Sequence, residues 1–209
     1  MPAWLFSQES GRYKIVSYNV ENFFDTVSVS KSCDQDFTPS GKFEWNTQRY
    51  QTKIANLSKV VNAVCDTTPL LLLGVCEVEN KKVIRDWLKH PAMAKHKLTF
   101  IHFDSVDPRG IDVALLYNRK LFKPKYKELL QPKFDFDTLY RARGILYVRG
   151  KFGKEEIHVF VNHWSSRKGG AEKSDSRRIK TAELLRKKID DINAKQYNAK
   201  IIVMGDFND

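Results

Sequence analysis

The sequence predicts an α/β (α+β) domain in which sheets are buried beneath amphipathic helices. The stretch from Leu70 to Cys76 is a continuous apolar run of strand length, which is typical of a strand covered on both faces. Two segments, 46–64 and 172–193, instead carry apolar residues at helical spacing. Strands mixed with such helices favour a layered arrangement, because each apolar face must be covered by another element.

The remaining elements follow in order along the chain. A strand is expected from Lys14 to Val20, and Asn46 or Thr47 can cap the first helix. The apolar stripes of the two long helices are Ile54, Leu57, Val61 and Val64 in the first and Ile179, Ala182, Leu185, Ile189 and Ile192 in the second. The other predicted elements are a helix at 81–88 and strands at 97–103, 112–118, 145–152, 156–162 and 200–205.

Residues 1–209 contain no internal repeat and no linker-like segment, so we interpret them as a single domain. The last predicted strand lies directly before Asp209. Domain boundaries normally fall in exposed polar segments, and an apolar strand needs neighbours. We therefore expect further sequence of the domain beyond Asp209. A monomer is the expected oligomeric state.

The charge of the chain indicates the class of partner. A net charge of +11 and a pI of about 9.5 attract polyanions, nucleic acid first and anionic lipid headgroups second, although a lysine-rich solvated surface explains the charge equally well. No apolar run reaches the roughly 18 residues of a membrane helix, so no stable membrane insertion is expected. No signal peptide is visible, which leaves the compartment open.

The three cysteines, Cys33, Cys65 and Cys76, lack the spacing of a zinc site and the density of a disulfide scaffold. We interpret them as ordinary thiols.

Polar side chains recur where predicted strands end, which is where α/β folds build their sites. They are Asn19 and Glu21, then Glu77 and Glu79, then His163, and finally Asp206 and Asn208. A single carboxylate at a strand end is usually only solvated, but four such ends together favour a shared site. Carboxylate and amide oxygens are hard ligands that suit magnesium, calcium or manganese better than zinc.

Five short segments occur in one order along the chain: SYNVEN at 17–22, VCEVEN at 75–80, RGIDVALLY at 109–117, VNHW at 161–164 and GDFN at 205–208. Each is weak evidence alone, but together they span essentially the whole chain. In this order they resemble the endonuclease/exonuclease/phosphatase superfamily, whose members include deoxyribonuclease I, abasic-site endonucleases, neutral sphingomyelinases and inositol-polyphosphate 5-phosphatases. The resemblance implies a four-layer α-β-β-α sandwich of two packed mixed sheets.

The resemblance also implies roles for individual residues. Glu77 would be the principal metal ligand, with Asn19 beside the metal; the cofactor would be Mg²⁺ or Mn²⁺, with Ca²⁺ as a further option. His163 would contact the scissile phosphate or transfer a proton. Asp206 would orient or deprotonate the attacking water, and Asn208 would steady Asp206. On a looser alignment, Asp112 would orient His163, and a surface role for Asp112 is an equal alternative.

Members of the family also carry a later Asp-His pair, which cannot be located in this sequence. We therefore expect residues 1–209 alone to be inactive or badly impaired, and a longer chain to hydrolyse its substrate with a metal.

Basic and hydroxyl groups near His163 point to phosphate binding. Ser165 and Arg167 lie in a loop with Gly169 and Gly170, and such loops can hold phosphate oxygens, although the glycines also suit a simple turn. The cations of the following helix, Arg177, Arg178, Lys180, Arg186, Lys187 and Lys188, are better explained as its solvated face.

Three functions remain open from the sequence. The leading hypothesis is a metal-dependent phosphodiester hydrolase, a nuclease that acts on DNA or RNA by in-line attack of water. The alternatives are a phosphatase or phosphodiesterase of phospholipids or inositol phosphates, and a non-catalytic member of the fold that binds a ligand.

Overall fold

The computed structural model describes residues 11–27, 35–167 and 171–208, with the backbone alone for residues 171–173. Predictions for Cys33, Gly169 and Gly170 therefore lie outside the described residues. The strands are β1 Lys14–Phe23, β2 Leu70–Val78, β3 Leu98–His102, β4 Asp112–Asn118, β5 Phe122–Leu130, β6 Ile145–Phe152, β7 Glu155–His163 and β8 Lys200–Asp206. The helices are α1 Thr47–Cys65, α2 Lys81–Lys89 and α3 Ala171–Lys195.

These elements form two four-stranded sheets with the orders β1-β2-β4-β3 and β5-β6-β7-β8. Both sheets are mixed, because β1 runs parallel to β2 and β7 runs parallel to β8, while the other neighbours are antiparallel. The predicted α/β class and the two packed mixed sheets are confirmed.

Three apolar layers hold the sandwich together. Side chains of α1 and α2, among them Ile54 and Trp87, pack on one face of the first sheet. The other face meets the second sheet in a core that contains Leu115 and Val148, and α3 covers the far side through residues such as Leu185. Fully buried aliphatic and aromatic side chains contribute about 1.5–3 kcal/mol each. These three interfaces therefore supply most of the favourable free energy of folding.

The two sheets come closest near Gly74. A β-carbon at this position would lie 2.4 Å from the Met204 sulfur, which belongs to the other sheet. The glycine therefore permits β2 and β8 to approach, and this approach brings the ends of both strands to the same region.

Strand β5 was not predicted from the sequence. Its segment contains Pro124 and several lysines, which are unfavourable within a central strand. In the structure β5 pairs only with β6 among the described strands, and the register shifts between Pro124 and Tyr126. An edge strand tolerates a proline and benefits from charge, because both discourage pairing with another chain. Most other predicted elements agree with the observed bounds to within a few residues.

The buried face of α3 differs from its predicted stripe. Ile179 is 58% exposed, whereas Arg178 is buried together with Ser174 and Thr181. Arg178 donates to the Ser174 hydroxyl and to the Ser165 carbonyl and pairs with Asp175, so hydrogen bonds compensate for its burial. The prediction that Arg178 belongs to a solvated face is wrong, because a carbonyl from the segment after β7 and two side chains of the same helix accept hydrogen bonds from the buried guanidinium group.

No helix among the described residues has both the length and the apolar character needed to cross a bilayer.

Candidate active site

The carboxyl ends of four strands meet at one edge of the sandwich. The parallel pair β1 and β2 ends near Asn19 and Glu77, and the parallel pair β7 and β8 ends at His163 and Asp206. Strand β8 contacts both β1 and β2, so the two ends belong to one site although they come from different sheets. The structure thus brings together Asn19, Glu77, His163 and Asp206 from the predicted strand ends. It does not place Glu21 and Glu79 there, because Glu21 is exposed and Glu79 accepts from Asp25 N.

A single amide group connects the two sheets at this edge. The Asn19 Nδ2 atom donates to Glu77 Oε1 at 3.3 Å and to Asp206 Oδ2 at 2.9 Å. His163 Nε2 lies 3.6 Å from the same Glu77 oxygen. We call Asn19, Glu77 and Asp206 the carboxylate centre, and His163 lies against it.

The backbone is irregular where it presents Glu77. This residue sits in a shift of register between Cys76 and Val78 and has a φ of 66°. A bulge redirects a side chain away from the regular alternation of the strand, and a positive φ is unfavourable for a glutamate. The hydrogen bond from Asn22 N to Glu77 Oε2, 2.8 Å long, helps to hold this conformation. Such strain is common at functional sites, and nothing in the sequence signalled it.

The residues on both sides of Asp206 in the chain, Gly205 and Asn208, fix the position of its carboxylate. Gly205 has a φ of 134°, and a β-carbon there would lie 2.0 Å from the Asn162 carbonyl oxygen, so this position requires glycine. Asn208 N donates to Asp206 Oδ1 at 3.0 Å, and Asn208 Nδ2 donates to the Trp164 carbonyl at 3.0 Å. Asn208 therefore ties Asp206 to the segment that follows His163.

The carboxylate centre has the chemistry of a cation site. Two carboxylates approach one neutral amide, and their oxygens are the hard donors that magnesium prefers. The Asn19 oxygen accepts from Glu21 N at 2.9 Å, so Asn19 bridges the carboxylates as a donor. A ligand role for Asn19 would require its amide to turn over. Glu77 and Asp206 offer carboxylate oxygens of the kind that a divalent metal prefers.

His163 is neutral in this environment. Burial, as the largest cause, and the nearby guanidinium groups of Arg143 and Arg109 together lower the pKa of His163 to about 2. Its Nδ1 atom is buried without a hydrogen-bond partner among the described residues. A neutral imidazole can accept a proton or a hydrogen bond at one ring nitrogen and donate from the other.

The structure corrects the predicted partner of Asp112. Its Oδ2 lies 2.9 Å from His102 Nε2, and its Oδ1 accepts from Ser105 N at 2.9 Å. Both oxygens are therefore engaged by the β3 end and the loop after it, so Asp112 does not orient His163. His102, Asp104 and Asp112 place possible ligand atoms within 4.8 Å of one another. Within this group the His102 Nε2 atom already faces the Asp112 carboxylate at 2.9 Å.

The predicted phosphate loop is described up to Arg167. Ser165 is 5% exposed and its hydroxyl accepts from the Tyr140 hydroxyl at 3.2 Å, so it supports the loop from within. Ser166 and Arg167 are exposed, and Arg167 is the residue for which a phosphate contact was predicted. That contact stays a prediction.

Arg143 is the main site residue that the sequence reasoning missed. It is buried, donates to the carbonyls of His163 and Trp164 at 3.0 and 2.6 Å, and pairs with Asp107 at 2.6 Å. Two arginines separated by one residue, Arg141 and Arg143, stand directly before β6 and were the available signal.

Comparisons with known proteins agree with this architecture. Residues 14–209 match the model of the Endonuclease/Exonuclease/phosphatase family, whereas curated proteins gave no match. Among solved structures, a mannosyl-6-phosphatase from Bacteroides thetaiotaomicron has a TM-score of 0.61 at 17% identity, over 92% of this chain and 64% of that one. TDP2 from C. elegans has a TM-score of 0.58 at 15% identity, over 78% and 44% respectively.

A third similar structure is D. rerio TDP2 complexed with a single-strand DNA product. It has a TM-score of 0.50 at 16% identity and matches over 74% of this chain and 54% of its own. At such identities the likeness shows a shared fold. The present chain spans between 44% and 64% of the length of these three structures.

Proposed function

The chain belongs to the endonuclease/exonuclease/phosphatase family, and from that premise we propose that it is a divalent-metal-dependent phosphoester hydrolase. The observation that carries this proposal is the meeting of Asn19, Glu77, His163 and Asp206 at one edge of the sandwich. Two carboxylates beside a neutral buried histidine supply a cation site, a group that can orient water and a group that can hydrogen-bond to phosphate within one cluster.

Glu77 and Asp206 would hold the metal, with Mg²⁺ as the expected ion and Mn²⁺ or Ca²⁺ as alternatives. Such an ion neutralises charge on a phosphate oxygen and lowers the pKa of water. These residues suit a divalent cation because both side chains offer carboxylate oxygens, and the Asn19 amide holds the two carboxylates close together.

The remaining residues act on water and phosphate. Asp206 would orient the attacking water for in-line attack, and the hydrogen bond from Asn208 N keeps that carboxylate in one orientation. His163 would contact the phosphate through Nε2, the nitrogen that faces Glu77. With a pKa of about 2 it is too weak a base to take a proton from water at physiological pH.

We further propose that the substrate is a phosphodiester of DNA or RNA. The net charge of +11 supports this choice, because a basic surface concentrates polyanions. The fold shared with a D. rerio TDP2 that binds a single-strand DNA product is also compatible with it. The site would carry out the same hydrolysis on a phosphodiester of DNA and on one of RNA.

A phosphate monoester on a small molecule is the second candidate. The similar Bacteroides thetaiotaomicron structure is a mannosyl-6-phosphatase, and its fold matches over 92% of this chain. Attack of water on a monoester would use the same carboxylates and histidine.

The test measures hydrolysis by the full-length protein on single-stranded DNA, RNA and mannose 6-phosphate, with Mg²⁺ and with EDTA. We expect cleavage of the oligonucleotides that stops in EDTA and falls about 1000-fold in Asp206→Asn. Asp190→Asn is the matched control, since Asp190 is exposed on α3 and pairs only with Arg186 in the described structure. Cleavage that persists in EDTA and in Asp206→Asn would contradict the proposal, and cleavage of mannose 6-phosphate alone would select the second candidate.

A further inference from the structure

A pocket lined by arginines lies directly beside His163. It has a volume of about 220 Å³, far more than a single water needs. We call it the arginine pocket, because its lining includes four arginines together with Ser166 and Asp107. The four are Arg109, Arg141, Arg143 and Arg177. These residues come from the loop before β4, the loop before β6, the loop after β7 and the beginning of α3.

Two of the arginines are fixed in place. Arg143 forms a buried ion pair with Asp107 at 2.6 Å and donates to the backbone at His163. The guanidinium group of Arg177 lies 3.7 Å from the centre of the Tyr140 ring and forms a hydrogen-bonded ion pair with Asp137. Buried or stacked guanidinium groups lose little further freedom when a ligand binds, so this part of the pocket is preorganised.

The charge of the arginine pocket is not balanced within it. Four guanidinium groups face two carboxylates, those of Asp107 and Asp137, which leaves two positive charges. Arg109 approaches Asp107 only to 3.8 Å, and Arg141 is exposed and donates to the Thr138 carbonyl at 2.8 Å. The pocket therefore attracts an anion, and the exposed hydroxyl of Ser166 offers a further donor.

Its position relates this anion site to the reaction. Arg143 lines the pocket and donates to the carbonyls of His163 and Trp164, so the pocket adjoins the segment that carries His163. A phosphate at the carboxylate centre and an anion in the arginine pocket would thus both bind near His163.

We propose that the arginine pocket binds a second phosphate group of the substrate, next to the phosphate that is hydrolysed. Guanidinium groups match phosphate oxygens through paired hydrogen bonds, and the two uncompensated positive charges suit a phosphate group, which can carry two negative charges. The inference rests on the proposed function, because it describes the same substrate. The second phosphate belongs either to the neighbouring nucleotide of a strand or to a small molecule that carries two phosphates.

Kinetics of two variants test the role in substrate binding. Arg141→Gln and Arg109→Gln should each raise KM about tenfold for a dinucleotide with a 5′-phosphate, or for a sugar bisphosphate. The rise should be much smaller for the dinucleotide without the 5′-phosphate and for the sugar monophosphate, so the ratio of the two KM values is the quantity that tests the pocket. The pair of substrates whose KM responds, nucleotides or sugars, identifies the source of the second phosphate. An equal rise in KM for the substrates with one and with two phosphates would overturn the inference.

Arg119→Gln is the matched control. It removes the same charge from an exposed arginine in the turn between β4 and β5, outside the lining of the pocket. A KM that rises equally in Arg119→Gln would show that only net charge matters, and this would also overturn the inference.

A binding measurement separates the inference from the proposed function. Pyrophosphate is titrated into the protein without metal, and the guanidinium NMR signals of Arg109 and Arg141 are followed. Shifts in the original protein that are lost in Arg141→Gln support the pocket even if no substrate is hydrolysed, in which case the proposed function alone fails. Absence of shifts at both arginines would overturn the pocket even if hydrolysis is observed.

Discussion

The carboxylate centre and the arginine pocket are neighbours with opposite charge and different construction. The centre stands on the ends of β1, β2 and β8, and two sheets must pack together before Asn19 can join Glu77 to Asp206. The pocket is built from loops and the beginning of α3, and its arginines are held by side-chain pairing and stacking. His163 lies between the two regions.

This difference separates two tasks. Rigid strand ends fix the groups that would hold a cation and water, where small displacements are costly. Loops are easier to vary, so they suit groups that choose among substrates. The centre therefore carries the proposed chemistry common to phosphate esters, whereas the pocket would set which ester is preferred. A substitution in the carboxylate centre should therefore leave anion binding in the arginine pocket unchanged.

The largest expected effect comes from the centre. Glu77→Gln keeps the size of the side chain but removes the charge that would hold the metal, so hydrolysis by the full-length protein should fall about 10⁴-fold. Binding of pyrophosphate in the arginine pocket should not change. Glu44→Gln is the control, because the Glu44 side chain is 77% exposed and lies outside the centre. Equal activity of the two variants would remove Glu77 from the mechanism.

The next largest effect is on the stability of the protein, through a buried ion pair that lines the arginine pocket. Arg143→Met leaves the carboxylate of Asp107 buried without its partner, which should lower the free energy of unfolding by about 3–5 kcal/mol. Urea denaturation measures this loss. The double variant Asp107→Asn with Arg143→Met should be less destabilised than the sum of its single variants.

A control accompanies the Arg143 variant. Arg149→Met removes an arginine whose side chain is 43% exposed and whose nearest carboxylate oxygen, from Glu156, is 3.9 Å away. Its cost should stay below about 1 kcal/mol. Strictly additive costs at Asp107 and Arg143 would show that the buried pair is not coupled.

The smallest effect is a pH dependence at His163, the residue between the regions. Its pKa is lowered to about 2 in the folded protein, whereas the unfolded chain binds this proton near pH 6.5. The unfolded state therefore gains protons first as pH falls, and the free energy of unfolding decreases below pH 6.5 by about 1.4 kcal/mol per unit. In His163→Gln this contribution disappears.

Urea denaturation at pH 7.5 and pH 5, without metal, checks this prediction. The loss of stability on acidification should be about 2 kcal/mol smaller in His163→Gln than in the original protein. His96, whose pKa is also lowered by burial and by Lys95, retains its own share in both proteins. An identical loss in the two proteins would contradict a neutral, buried His163.

Much of the fold was predictable because its signals are local. The apolar run of β2 and the helical stripe of α1 reflect which faces must be covered, and a resemblance of motifs placed them in a two-sheet sandwich. Strand β5 was missed because its lysines and Pro124 suit an edge, and an edge is defined by what lies beside it. The buried Arg178 was misplaced for a similar reason, since its acceptors include a carbonyl from another segment.

The candidate site divides in the same way. Residues at strand ends, such as Asn19, Glu77, His163 and Asp206, could be selected from the sequence because parallel strands end at one edge. The pairing of Asp112 with His102 and the role of Arg143 could not, because each depends on which loop folds over which strand.

The sequence by itself determined the α/β class, the family motifs and the strand-end residues of the carboxylate centre, since these depend on local periodicity and short patterns. The tertiary structure decided three other features. They are the bulge that aims Glu77, the amide bridge between the sheets and the gathering of four arginines beside His163. All three require contacts between residues far apart in the chain, and their geometry is fixed only when the sheets and loops pack.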